Sequence, residues 1–119
     1  MPQRPRIVRA SLTTALALAA LTVAPRPAAA QGDAKQGAKV YTAQKCQVCH
    51  SIAGKGSKAN PLDGVGAKLS ADDIRGWIVD PTAAAAKAKS TKKPPMPAKY
   101  ASLPAADLDG LVAYMQSLK

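Results

Sequence analysis

Two cysteines three positions apart, with a histidine directly after the second, constrain this chain more than any other feature: Cys46-Gln47-Val48-Cys49-His50. Thiols at that spacing stand on one helical turn, and the imidazole follows beside them. A dithiol redox pair would want a βαβ setting, and no stretch of this chain alternates as a strand does. A closed zinc site wants four ligands, whereas the chain has two Cys and one His. A structural disulfide would leave the adjacent and only histidine without a role. The remaining reading is the attachment pattern of a c-type haem. Cys46 and Cys49 would form thioether bonds to its two vinyl groups, and His50 would give the iron its proximal nitrogen.

A second axial ligand is then the question. There is no second histidine, and beyond the N-terminal segment two methionines remain, Met96 and Met115. Met96 lies in Lys93-Pro94-Pro95-Met96-Pro97, a stiff extended run that can hold a thioether still. Met115 falls on an apolar helical stripe, where a methionine packs. Met96 is the favoured ligand. An iron left open or held by lysine is the other possibility at this point.

Residues 1–30 read as an export signal. Arg4, Arg6 and Arg9 precede an apolar run from Ala10 to Ala24, and Pro25-Arg26-Pro27-Ala28-Ala29-Ala30 follows. That is the basic, apolar, small-residue order of a secretory signal, with cleavage expected after Ala30. The apolar run is short of the ~20 residues a spanning helix needs, so no stable membrane insertion is expected after cleavage. Residues 31–119 then form one small domain in the periplasm.

The signal would take four of the 17 basic residues and none of the seven acidic ones, leaving 13 against seven and a net charge of +6. Twelve of those 13 are lysines. Such a surface speeds encounter with acidic partners. The lysines are scattered and Phe is absent, which does not suit a nucleic-acid surface. With three tyrosines, one tryptophan and no phenylalanine, the domain is poor in core-forming bulk. A flat apolar cofactor would supply what the side chains lack.

Periodicity predicts helices. Gln31–Gln44 carries Gly37, Val40, Tyr41 and Gln44 on one face, and Asp33 with Gln36 fits a capping box. Ser51–Lys68 reads as loop, broken by four glycines and Asn60-Pro61. Ser70–Val79 is a second helix with Ile74, Trp77 and Ile78 as its stripe. Thr82–Ala86 can start a short helix that Lys92-Lys93-Pro94-Pro95 cannot continue. The last helix begins near Pro104 and carries Leu108, Leu111, Val112, Met115 and Leu118. The expected fold is all-α.

With these residues in place, the chain resembles the class I c-type cytochromes, the monohaem family with His and Met axial ligands. The resemblance covers essentially the whole of residues 31–119. It rests on the Cys46–His50 motif, on Gly37 and Tyr41 in the first helix, and on Leu111 and Tyr114 in the last. Asn60-Pro61-Leu62 and Met96-Pro97-Ala98 match further elements. It implies a small helical domain wrapped around one covalent haem c, with the first and last helices crossing closely at Gly37. It implies His50 and Met96 on the iron, and Pro61 and Leu62 against the cofactor, the Pro61 carbonyl accepting the His50 ring N–H. It places Trp77 near the ring edge or a propionate, with Tyr100 a further contact. The segment Ala83–Lys93, rich in Ala and Lys, departs from the family pattern. The function implied is single-electron carriage without catalysis. A cytochrome subunit of a dehydrogenase or oxidase complex, and a gas-binding haem protein, are the alternatives.

Overall fold

A computed structural model of the protein describes residues 32–119. The expected signal segment, residues 1–30, and Gln31 lie outside the described residues. Helix α1 is Ala34–Ala43, with Asp33 at its N-cap accepting from the Lys35 N–H at 2.8 Å. The expected capping box does not close. The Gln36 side chain turns away from Asp33 and donates to Asp107 Oδ1 at 3.0 Å, so it joins two helices instead of closing one. The helix stops because Lys45 takes a left-handed conformation, φ 57°. The chain then tightens into a 3₁₀ turn over Cys46–Val48.

The expected loop Ser51–Lys68 contains more order than its glycines suggest. Strands β1 (Ser51–Ile52) and β2 (Lys55–Gly56) pair antiparallel across Ala53-Gly54. Both turn residues have positive φ, 50° and 76°, which is the geometry that matches strand twist in a two-residue hairpin. Strands of two residues show no alternation, which is why the sequence gives no sign of them. A one-turn helix α2 (Val65–Lys68) follows, tied to the chain end by Gly66 N–H to the Leu118 carbonyl at 2.8 Å.

Helix α3 is Ala71–Val79. Ser70 caps it, accepting from Asp73 N–H at 3.1 Å. Asp80 then caps α4 (Pro81–Lys87) by accepting from Ala83 N–H at 3.0 Å, with Pro81 at the first helical position where its missing N–H costs nothing. A 3₁₀ segment over Ala98–Ser102 packs on α3, and α5 (Ala105–Ser117) closes the fold.

The core is formed where α1 and α3 meet α5: Val40, Tyr41, Ile74, Ile78, Leu108, Leu111, Val112 and Met115, with Tyr100 joining from the 3₁₀ segment. The α1–α5 crossing depends on Gly37. A Cβ there would overlap the Gly110 carbonyl and lie 2.7 Å from the Tyr114 Cβ. Beside it, Tyr41 and Tyr114 meet edge to face, ring centres 5.9 Å apart at 69°. The close crossing implied by the Gly37/Tyr41 and Leu111/Tyr114 pairs is present.

Candidate cofactor site

The 3₁₀ turn holds Cys46 and passes into Cys49 and His50, with the His50 N–H donating to the Cys46 carbonyl at 3.0 Å. Both cysteines are free, Cys46 half-buried and Cys49 exposed. Burial pushes the Cys46 thiol upward, partly offset by its own backbone hydrogen bond and by Lys99. Among the described residues no three His, Cys or Asp side chains gather as a metal cluster would need.

The turn owes its shape to the hairpin beneath it. Ser57 N–H donates to the Gln47 carbonyl at 3.0 Å. Gly56, at φ +106°, brings its backbone so close that a Cβ would overlap the His50 carbonyl oxygen. The Tyr41 hydroxyl lies 3.5 Å from that same carbonyl. Burial, with smaller contributions from Cys46, Tyr114 and Asp63, raises the Tyr41 hydroxyl to about 12, so it is a neutral donor at any ordinary pH.

His50 is held by one ring nitrogen. Its Nδ1 lies 3.0 Å from the Asn60 carbonyl oxygen. A carbonyl only accepts, so Nδ1 carries the proton and Nε2 keeps its lone pair for a metal. The acceptor was expected to be the Pro61 carbonyl. It is the carbonyl one residue earlier. Pro61 instead forms a parallel β-bridge with Ser51, and the Leu62 N–H donates to the Ser51 carbonyl at 2.8 Å. That pairing fixes the proline and turns the preceding carbonyl toward the ring. The Asn60 side chain adds a contact from Nδ2 to the Cys49 carbonyl at 3.4 Å.

Cys46, Leu62 and Met96 all lie half-buried against the core, with Ile52, Val65 and Leu69. Met115 is only 6% exposed and packed into that core. Tyr100 is buried, and its hydroxyl is pushed upward by burial and then by charge on Cys46 and Cys49. Trp77 lines a groove of about 440 Å³ between α3 and α4 with Leu69, Gly76, Ala83, Ala84 and Ala88. None of Cys46, Cys49, His50 or Met96 lines that groove.

Sequence reading missed Asn60 as the acceptor, although its neighbour was singled out. It also treated Tyr41 as packing alone, whereas its hydroxyl reaches the His50 carbonyl at 3.5 Å, a contact no sequence pattern signals.

The donor set fits a covalently attached haem. Two unlinked thiols lie on one turn, an imidazole with a free Nε2 lies beside them, and a margin of half-buried apolar side chains runs alongside. The family described as cytochrome c matches residues 34–119. No curated protein matches the chain, and no solved structure does. Its mostly helical fold, its attachment turn and that match agree: the chain belongs to the cytochrome c family and is a c-type cytochrome, which binds haem c covalently through cysteine and serves haem-based electron transfer.

Proposed function

We propose that this protein is an exported, periplasmic electron carrier whose haem c is held by Cys46 and Cys49, with His50 and Met96 as its axial ligands. Haem c supplies one-electron chemistry, its iron alternating between ferric and ferrous states. The observation that carries the reading is the Nδ1–Asn60 carbonyl bond, which favours the His50 tautomer with its lone pair on Nε2, the nitrogen a metal would take. Met96 is the methionine available, since Met115 is committed to the core. A thioether opposite an imidazole raises the reduction potential relative to more electron-donating ligands. With the imidazole and the thioether each held by its own segment, little needs to move when an electron arrives.

The partner is proposed to be a redox protein with an acidic docking face, not a nucleic acid. Six of the seven aspartates are already engaged. Asp33 and Asp80 cap helices, and Asp63 accepts from Ala53 N–H. Asp73 pairs with Lys87, Asp107 with Gln36, and Asp109 with Arg75. Lys45, Lys58 and Lys93 have no such partner among the described residues, so their field reaches solvent. Lys87 and Lys92 are engaged within the fold, with Asp73 and the Ala59 carbonyl. The expected signal segment at residues 1–30 supports export, and no helix among the described residues is long and apolar enough to cross a membrane.

Electron exchange with an acidic partner should slow about tenfold between low salt and 0.5 M salt, as screening shortens the reach of the lysines. Stopped-flow mixing measures it. A rate unchanged by salt would remove the acidic partner. Rapid carbon monoxide binding by the reduced protein at neutral pH would replace the carrier reading with gas binding.

A further inference from the structure

Between α4 and the 98–102 segment the chain runs with little regular structure from Lys89 to Pro97. Its hydrogen bonds are almost all local. Ser90 N–H closes back on the Ala85 carbonyl at 2.9 Å, and Lys92 N–H reaches Ser90 Oγ at 3.4 Å. Pro94, Pro95 and Pro97 have no N–H to give. Among the described residues, one hydrogen bond ties this stretch to the opposite wall. Lys92 Nζ donates to the Ala59 carbonyl at 3.4 Å, 33 positions away in sequence.

Ala59 adjoins Asn60, whose carbonyl accepts from the His50 ring. Two successive carbonyls of one turn therefore take the imidazole and the Lys92 ammonium. Four residues after Lys92 comes Met96. The Met96 segment and the turn that orients His50 are thus joined by a single side-chain hydrogen bond.

We propose that Lys92 is a positioning residue: a strap that holds the Met96-bearing segment against the turn that orients His50. Its consequence at the iron rests on Met96 being the sulfur ligand; the strap itself does not. An ammonium on a carbonyl is a charge-assisted bond, shorter and stronger when dry than in water. Here it is exposed, so it adds little to global stability. A segment whose other tie is the half-buried Met96 side chain responds differently. One weak bond sets how often it opens while the helices stay folded. Lys93, next along, carries the same charge, has no partner among the described residues, and serves as the control.

The test uses the full exported, haem-loaded protein. Amide hydrogen exchange over residues 88–97 should quicken about threefold in Lys92→Ala, the size of one exposed bond. Lys92→Arg, which can still reach the carbonyl, should exchange as the wild type does, and so should Lys93→Ala. Exchange in α1 and α5 should not change in any of them. Affinity of the ferric protein for added imidazole should rise by the same factor in Lys92→Ala alone, because imidazole binds when the segment lifts. Equal effects of Lys92→Ala and Lys93→Ala would show charge rather than a bond, and would overturn the strap. So would unchanged exchange in Lys92→Ala. If the wild type has no iron–sulfur band, the ligand reading fails separately, and exchange over 88–97 still decides the strap.

Discussion

Gly37→Val should cost this protein about 3 kcal/mol, a large fraction of the stability of a domain this small. A side chain at that position meets backbone, not the end of a flexible chain. Its first carbon would overlap the Gly110 carbonyl and crowd the Tyr114 Cβ. Neither can step aside while α1 and α5 keep their crossing. Gly110 is itself hemmed in, since a Cβ there would sit 3.0 Å from the Asp33 carbonyl and 3.1 Å from the Gly37 amide. The helices must therefore separate, and Val40, Tyr41, Leu111 and the Tyr41–Tyr114 contact lose burial together. A urea titration followed by far-UV circular dichroism measures the loss. A midpoint within error of wild type would mean that the close crossing is not what holds the domain.

Met96→Ala should change the electronic properties while leaving the fold nearly intact. Met96 is half-buried at the core margin, in a segment tied to the rest mainly through Lys92. Truncating it opens little space among the helices. With Met96 as the proposed sulfur ligand, the variant would lose that ligand whole and leave its position to water or a lysine. The weak red charge-transfer band of the ferric protein should vanish. The reduction potential should fall by on the order of 0.2 V, part of the ~0.8 V that axial ligands span. Met115→Leu, a volume-conserving change in the core, should leave both intact. A band that survives Met96→Ala and disappears in Met115→Leu would reverse the assignment.

Much of this architecture is legible in the residues. Ser70 before Asp73 marks the start of α3 and Asp80-Pro81 its end, while the short helix expected from Thr82 begins one residue earlier, at Pro81. The stripe Leu108, Leu111, Val112, Met115 is buried along α5 as its spacing requires. These succeed because a cap or a 3.6-residue repeat is local information. What escapes is what depends on long-range partners. Gln36 looks like a capping-box residue until Asp107, 71 positions away, offers a better acceptor. The hairpin at 51–56 is too short to show alternation and is held by the Gln47 carbonyl and Asp63 from outside itself. Pro61 and Asn60 are indistinguishable as acceptors until Ser51 takes the proline into a bridge. For the site, the attachment turn and the imidazole are readable because their chemistry is written in consecutive residues. The Met side is not, since residues 88–97 have little regular structure and mostly local hydrogen bonds, which no sequence pattern encodes.

The most direct test of covalent haem attachment is the intact mass of the protein after export from cells competent in cytochrome maturation. The account predicts a red species heavier than the polypeptide by one haem, with that added mass lost when Cys46 and Cys49 are both changed to alanine. A colourless product at the mass of the polypeptide alone would contradict it.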